Sequence, residues 1–281
     1  MNDALLVMKW PLVACLLLPG ILVYFGLHIV RRGIIFVDLA LAQVAALGMC
    51  LCLMLGHDPH DFHTYLWSLG FTLIGALIFT FTRTRENHRV PQEALIGIVY
   101  VVAAAAAILL LSKSTAGNEE LKNTLVGDVL NVSQSQVWQT FALFAVIAVI
   151  HLLFRKRFLA LTFDAAGSTK PRARWWDFLF YATFGLVVTS FVQIGGVLLV
   201  FSYLVVPAVC ANLLATSLGT MLAIGIAAAM LGGVGGLVAS YQFDLPTGAA
   251  IVCTLGLVLI IAAVAAKFRS SRSHTESEKA V

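Results

Sequence analysis

The sequence predicts an all-α, polytopic membrane protein whose helices cross a lipid bilayer about eight or nine times. Two observations predict this class. Of the 281 residues, 60% are hydrophobic and only 11% are charged, whereas soluble domains carry about 25% charged residues. Nearly all of the positive charges also fall on one side of a ladder of apolar segments, as the positive-inside rule describes for membrane proteins.

Nine apolar segments are long enough, or nearly so, to cross a hydrocarbon core of about 30 Å, which takes about 20 helical residues. The first contains Pro19 and Gly20 and lacks a small-residue cleavage site, so we expect a retained, kinked helix. A Gln-Ile-Gly-Gly break at 193–196 predicts that one of two later segments is interrupted or re-entrant. The segments are 11–30, 34–55, 64–82, 92–111, 137–154, 176–194, 197–215, 219–240 and 247–266.

The distribution of Lys and Arg predicts the orientation of the chain. With the N-terminus outside and the C-terminus in the cytoplasm, only Lys9, Lys113 and Lys122 of the 18 basic residues lie outside. The other basic residues then lie inside: Arg31, Arg32, Arg83, Arg85, Arg89, Arg155, Lys156, Arg157, Lys170, Arg172, Arg174, Lys267, Arg269, Arg272 and Lys279. We therefore expect a protein of the bacterial inner membrane, in contact with its lipids.

Missing motifs and composition narrow the functional class. The sequence has no Gly-x4-Gly-Lys-Ser/Thr phosphate loop, no His-Glu-x2-His and no Gly-x-Ser-x-Gly, which argues against ATP binding by this chain and against common hydrolases. The net charge of +4 reflects the basic loops and does not suggest nucleic-acid binding. All five cysteines lie in apolar segments, which argues against a disulfide framework. Transport is the default function for such a chain.

The second half of the chain carries a motif series. It runs from Gly195-Gly196-Val-Leu-Leu-Val through Pro207-Ala208 to Ser240-Tyr241-Gln-Phe-Asp244-Leu-Pro-Thr-Gly248. This series resembles the permease subunits of the ABC-3 family, the importers of zinc, manganese and iron. Weaker matches in the expected order are Arg31-Arg32, Val126-Gly127-Asp128 and Phe163-Asp164.

The resemblance implies a permease subunit of an ATP-binding-cassette importer for a divalent metal ion. It implies a transmembrane permease domain at 1–269, and the polar residues 270–281 predict a disordered cytoplasmic tail. It also implies a second copy of this chain, a separate cytoplasmic ATPase that binds the ATP, and an extracytoplasmic metal-binding protein. The chain itself is then not an enzyme and holds no cofactor beyond the metal that it transports.

The second segment departs from the family pattern. The family carries Asp-x3-His there, resembling a metal gate, and alignment on Gly48 places Leu39 and Gln43 at those two positions. Asp38 is one residue out of register, about 100° around the helix from Leu39. The candidate residues for the translocation path are Asp38, Leu39, Gln43 and Cys50. Two alternatives stay open, namely that Asp38 pairs with Arg31 and that Gln43 and Cys50 only pack helices together.

A short loop on the outer side carries five candidate metal ligands, His57, Asp58, His60, Asp61 and His63. Imidazole and carboxylate groups suit Zn²⁺, which is our first choice for the ion captured there. The alternative is a solvated turn that is polar only because it lies between two spans.

The cytoplasmic turn after Pro207-Ala208 is the candidate surface for the ATPase. Its residues are Ala211, Asn212, Leu213, Ala215, Ser217 and Gly219, and Phe163 and Asp164 are the second choice. Gly232 and Gly236 form Gly-x3-Gly, which favours close helix packing within or between subunits.

Two other functions of the protein stay open. One is import of a metal chelate or another small ligand, and the other is a membrane-embedded enzyme or assembly factor.

Overall fold

The computed structural model describes residues 2–57, 61–82, 90–112, 129–163 and 173–279. Within these ranges all regular structure is helical, which confirms the predicted all-α class. A short 3-10 helix, Val129–Asn131, precedes α6. The α-helices are α1 Asn2–Leu17, α2 Pro19–Arg32, α3 Val37–Met54, α4 Phe62–Phe81, α5 Gln92–Leu111, α6 Gln134–Leu153, α7 Arg155–Phe163, α8 Ala173–Leu214, α9 Leu218–Phe243 and α10 Thr247–Lys279.

Eight helical stretches in the described part of the chain are long and apolar enough to cross a membrane. They overlap all nine predicted segments, because α8 takes up both 176–194 and 197–215. The stretches are Met8–Arg32, Val37–Met54, Phe62–Phe81, Gln92–Leu111, Gln134–Leu153, Arg174–Leu214, Leu218–Phe243 and Thr247–Phe268. The structure thus confirms a polytopic helical membrane protein with about eight or nine spans.

Helix α8 is interrupted at Gly196, where φ is 71° and ψ is 169°. This backbone conformation lies in the region that glycine adopts and L-residues avoid. Gly195 is also tightly enclosed, since a Cβ there would lie 2.9 Å from Leu199 Cδ2 and 3.0 Å from Phe191 Cε1. The predicted break at 193–196 is therefore confirmed, and two consecutive glycines are its cause.

The first span is also divided where the sequence predicts a kink. Helix α1 ends at Leu17 and α2 begins at Pro19. Proline suits the first position of a helix, because its missing N–H has no helical partner there, but inside a helix it breaks the hydrogen-bond ladder. Leu18 N still donates to Ala14 O at 3.0 Å, so the chain continues closely from one helix to the next.

The chain forms two compact units. Unit 1 consists of Met1–Leu27 and Ser202–Val281, and unit 2 consists of His28–Phe201. The predicted division into a permease domain at 1–269 and a disordered tail at 270–281 stays a prediction. Helix α10 continues to Lys279 in the structure, so the backbone is helical over most of that tail.

In unit 1, glycines allow α9 and α10 to approach closely. A Cβ on Gly236 would meet the backbone Cα of Ile251, and a Cβ on Gly232 would meet the side chain of Leu255. The face of α9 that carries Gly232 and Gly236 therefore has no room for a larger residue at either position. The prediction that Gly-x3-Gly packs helices is confirmed, and the packing lies within this chain.

Candidate functional site

Helix α3 packs in unit 2 between α4 and α5. On one face, the Thr64 hydroxyl donates to Cys52 Sγ at 3.5 Å, and a Cβ on Gly75 would lie 3.0 Å from Leu41 Cδ2. These contacts show that α3 and α4 run antiparallel. Asp38 lies three residues before Leu41 and so shares the face directed at α4.

The other face of α3 packs against α5. Cys50 is 1% exposed and forms an apolar cluster with Ala107 and Leu111, against which Leu47 packs. Gln43 is seven residues before Cys50 on the same face and is 4% exposed. Helical spacing predicts this common face correctly, and the structure adds that the face is covered by α5. A role of Leu39, Gln43 and Cys50 in the translocation path stays a prediction.

Two polar side chains on α3 are buried without hydrogen bonds to their carboxylate or amide oxygens. Asp38 is 2% exposed and its carboxylate makes no hydrogen bond of good geometry, although the backbone N–H groups of Asp38 and Leu39 at the start of α3 interact with it. The amide Oε1 of Gln43 also has none. The alternative that Asp38 pairs with Arg31 is wrong, because the exposed Arg31 guanidinium lies 5.8 Å from the ring centroid of Phe163 instead.

Glu93, in the first turn of α5, is a residue that the sequence analysis missed. Its Oε1 accepts a hydrogen bond from Phe36 N at 3.0 Å, which joins the start of α5 to the start of α3. Its Oε2 is buried and has no partner. An acid in a first helical turn is common, because it interacts favourably with the helix dipole. The sequence pattern therefore gave no reason to select it.

At the opposite end of α3, a cluster of exposed ligands forms around the turn to α4. One ligand atom from each of His57, Asp61 and His63 lies within 4.8 Å of the others. The two imidazole rings are stacked, with centroids 5.2 Å apart and planes 15° from parallel. Two imidazoles and a carboxylate at this spacing suit a divalent transition metal. The other two predicted ligands, Asp58 and His60, lie outside the described residues.

The predicted surface for the ATPase is mostly accessible. Leu213 is 45% exposed, and Ser217 and Gly219 lie in or next to the turn between α8 and α9. Ser217 caps α9, since its hydroxyl accepts from Thr220 N at 3.3 Å. Asn212 is half-buried, and its Nδ2 donates to Ala208 O at 2.7 Å. The predicted contact at Ala215 lies on the same turn and is half-buried.

Two other predicted contact residues differ in their accessibility. Ala211 is 0% exposed, because it packs beneath Gly225 of α9, so it cannot contact a partner directly. Phe163 is 43% exposed at the end of α7 and stays accessible. Its neighbour Asp164 lies outside the described residues.

A buried polar cluster joins three helices at one end of unit 2. Arg32 Nη1 on α2 donates to Asp177 Oδ1 on α8 at 3.3 Å, and Arg32 Nε donates to the Thr162 hydroxyl on α7 at 3.0 Å. His28 Nδ1 lies 2.6 Å from the same hydroxyl. The ends of α2 and α7 and the start of α8 therefore meet. The prediction that the basic residues of these connections share one side of the membrane stays a prediction.

The described helices define a polytopic helical membrane protein. The profile of the ABC 3 transport family matches residues 4–266. The chain therefore belongs to the ABC-3 transport family, as the motif series around Gly195 and Pro207 predicts.

Individual relatives agree with this assignment. The manganese transport system membrane protein MntC of Listeria monocytogenes is 27% identical over 239 residues, which cover 84% of this chain and 82% of that protein. A Haemophilus influenzae protein named "Probable iron transport system membrane protein" is 29% identical over 189 residues, covering 66% of this chain and 69% of its own length. PsaBC from Streptococcus pneumoniae, solved in complex with a Fab, has the same fold, with a TM-score of 0.76 and 24% identity over 93% of both chains.

Proposed function

We propose that this chain is the transmembrane permease of an ATP-binding-cassette importer for a divalent metal ion. The observation that carries the proposal is the match to the ABC-3 transport family over residues 4–266. The eight candidate spans leave only short polar segments between them, so the described chain consists of membrane-crossing helices and their connections. Such a chain provides a route across the membrane and depends on another subunit for energy.

Manganese is the first choice for the cargo, and iron is the second. The relatives described above are named for manganese and iron. The cluster of His57, Asp61 and His63 offers two nitrogens and one oxygen, a donor set that suits Mn²⁺ and Fe²⁺ as well as Zn²⁺. The donors alone therefore do not favour the zinc that we expected from sequence, and the relatives favour the other two metals.

The proposal includes three partners. A cytoplasmic ATPase would dock on the turn at Leu213, Ala215, Ser217 and Gly219, with Phe163 as a second contact. An extracytoplasmic binding protein would deliver the metal near His57, Asp61 and His63. A second copy of this chain would complete the conduit. This arrangement takes α8 as two spans divided at Gly196, so that nine crossings place the N-terminus outside the cell and the C-terminus in the cytoplasm of a bacterium.

The proposed cycle follows from these positions. Metal is concentrated at the outer cluster, where two imidazoles and a carboxylate exchange ligands with the delivering protein. ATP binding and hydrolysis in the partner subunit then switch the permease between outward and inward access. A break such as that at Gly196 is a site where helical segments change direction, and broken helices are tolerated at membrane depth where they line a cavity.

Reconstitution tests the proposal. The chain and its ATPase are placed together in proteoliposomes, and uptake of radioactive Mn²⁺ is measured with ATP supplied on the side of the ATPase. We expect uptake that requires both subunits and hydrolysable ATP. The chain alone should bind no ATP, because it has no phosphate loop. Specific ATP binding by the chain alone, or uptake without the ATPase, would contradict the proposal.

Import of a metal chelate is the second candidate. It is favoured by Leu39 and Gln43, which stand where the family pattern has Asp and His, since a chelated metal needs fewer protein ligands in the path. The same proteoliposomes distinguish the two. Free Mn²⁺ should be taken up under the first proposal, whereas under the second it should enter only after a chelator of the right class is added.

A further inference from the structure

The metal ligand at the end of α3 is held on a fixed backbone. Helix α3 is followed by Gly56, where φ is 89°, a conformation that glycine adopts and L-residues avoid. Gly56 N donates to Leu53 O at 3.0 Å, and His57 N donates to Cys52 O at 3.4 Å. These two bonds are the usual ending of a helix that stops at a glycine. They attach His57 to α3 independently of the turn that follows.

The carboxylate ligand lies at the start of α4 but does not cap this helix. Asp61 is the N-cap residue of α4, and an aspartate there normally accepts a hydrogen bond from a backbone N–H of the first turn. Its side chain makes no such bond, although its backbone O accepts from Tyr65 N at 3.2 Å. The carboxylate lies beside the imidazoles of His57 and His63 instead, with one ligand atom from each residue within 4.8 Å of the others. A capping role therefore does not explain this acid.

The three ligands can meet on one ion through side-chain rotation alone. Donor atoms around a tetrahedral zinc ion lie about 3.3 Å apart, because each is about 2 Å from the metal. The imidazole rings of His57 and His63 are stacked, 15° from parallel, so they must turn before both point a nitrogen at the same ion. Because the three groups are exposed, they have room for this rotation. Three protein ligands leave a fourth position for water or for a group of the delivering protein.

The donor set accepts Mn²⁺, Fe²⁺ and Zn²⁺, but it does not hold them equally tightly. Among the divalent first-row metals, Mn²⁺ binds a given nitrogen and oxygen site most weakly, and imidazole suits Zn²⁺ better than it suits Mn²⁺, which prefers oxygen ligands. Two histidines and one carboxylate with an open fourth position are a recurring zinc set. This order decides how tightly an ion is held at the cluster, and not which ion crosses the membrane.

We propose that His57, Asp61 and His63 form a Zn²⁺ site whose occupation inhibits uptake of the cargo metal. A site that passes ions on must bind them weakly enough to release them, so the ion that it binds most tightly blocks it. With Zn²⁺ in the cluster, Mn²⁺ is no longer concentrated at the outer mouth. The inhibitory effect rests on the proposed function, whereas Zn²⁺ binding is measured without it.

Metal binding by the purified chain in lipid nanodiscs tests the site itself. Calorimetry measures Zn²⁺ affinity, and Co²⁺, a spectroscopic substitute for Zn²⁺, reports four-coordination through its visible absorption. We expect a site that Zn²⁺ occupies even with Mn²⁺ in excess. His57→Ala with His63→Ala should weaken Zn²⁺ binding at least about tenfold, since even supporting residues of a metal site change affinity about 10- to 100-fold. Undiminished Zn²⁺ affinity in this double variant, or equal affinity of the parent for Zn²⁺ and Mn²⁺, would overturn the proposal.

Thermal unfolding separates lost binding from lost folding. Without metal, the double variant should unfold at the same temperature as the parent, because the side chains that it removes are exposed. Asp61→Asn keeps the size of its side chain and should behave in the same way. Zn²⁺ should raise the unfolding temperature of the parent and of the matched control Asp244→Asn, an exposed acid in unit 1, but not that of the two cluster variants. An equal Zn²⁺ shift in all four proteins would place the bound Zn²⁺ elsewhere and overturn the site.

Mn²⁺ uptake into proteoliposomes that contain the chain and its ATPase tests the inhibition. At limiting Mn²⁺, added Zn²⁺ should lower the initial uptake by the parent about tenfold, because focusing of an ion at a site changes capture rates by about that factor or more. At saturating Mn²⁺ the effect should be small. Asp244→Asn should respond to Zn²⁺ as the parent does.

The variant with alanine at His57, Asp61 and His63 decides where Zn²⁺ acts. Its uptake at limiting Mn²⁺ should already be slow, and added Zn²⁺ should not lower it further. Equal fractional inhibition of this variant and of the parent would overturn the inhibitory role. Absence of Mn²⁺ uptake in every sample would contradict the proposed function instead, and the binding and unfolding measurements would still decide whether the cluster is a Zn²⁺ site.

Discussion

Arg32 on α2 and Asp177 on α8 form a buried ion pair across 145 residues of sequence, with Nη1 3.3 Å from Oδ1 and side chains 6% and 3% exposed. The Arg32 guanidinium also lies 3.9 Å from the ring centroid of Phe180. It donates from Nε to the Thr162 hydroxyl, so a single side chain joins α2, α7 and α8. The exposed Phe163, a proposed contact for the ATPase, directly follows Thr162 in the chain.

Removing one member of this pair should strongly destabilise unit 2. Asp177→Ala leaves the Arg32 charge buried, and the loss of one partner from a buried pair costs about 3–5 kcal/mol. The unfolding of the purified chain in detergent measures the effect. The control is Arg31→Ala, which removes an exposed charge next to Arg32 and should cost less than about 1 kcal/mol. Similar losses in the two variants would show that the ion pair does not stabilise the unit.

The α9–α10 contact should not accept even one methyl group. A Cβ on Gly236 meets the backbone of Ile251, so Gly236→Ala must move the helices apart and should cost about 1–3 kcal/mol. Gly256 on α10 serves as the control, because a Cβ added there would have no other atom within 4 Å. Gly256→Ala should be neutral or stabilising by up to about 1 kcal/mol, because alanine is the better helix former. Thermal unfolding of both variants measures the contrast.

Local sequence signals predicted local structure well. The break in α8 follows from Gly195-Gly196, the division of the first span follows from Pro19, and the α9–α10 packing follows from Gly232 and Gly236. Each of these features depends on backbone conformation or on the absence of a side chain. Both properties can be recognised from residue type and spacing alone.

The partners of polar residues could not be predicted in the same way. Arg32 meets Asp177 only because three helices converge, and Glu93 meets Phe36 only because α3 and α5 start at the same end. Spacing placed Gln43 and Cys50 on one face but did not reveal that α5 covers it. For the same reason Ala211, close to an otherwise accessible turn, is buried. Burial depends on a neighbouring helix that the local pattern does not contain.

Cross-linking should locate the ATPase on the turn between α8 and α9. Cysteines at Ser217 and at Ala215 should cross-link to cysteines on the ATPase surface, because this turn is accessible and carries no charge of its own. A cysteine at Ala211, which is 0% exposed, should not react and serves as the control. Mass spectrometry of the cross-linked complex identifies the products. Labelling of Ser217→Cys by lipid-soluble probes alone would show that the topology is wrong.

The outer cluster should matter only when metal is scarce. Changing His57, Asp61 and His63 to Ala removes a site that raises the local metal concentration, and such focusing changes capture rates by about tenfold or more. We therefore expect about a tenfold fall in initial uptake at limiting Mn²⁺, and little change at saturating Mn²⁺, because capture does not set the turnover step. Asp244→Asn, an exposed acid outside the cluster, should change neither rate. Equal uptake by the triple variant and the parent at limiting Mn²⁺ would leave the cluster as a polar turn.

Metal content of cells that lack this chain is the most direct test of the central claim, that it imports a divalent metal. Cells are grown at limiting metal, and manganese, iron and zinc are measured by mass spectrometry with and without the chain restored. We predict that manganese, or else iron, falls in its absence and recovers when the chain is restored, while zinc stays constant. Unchanged content of all three metals, with normal growth at limiting metal, would contradict the account.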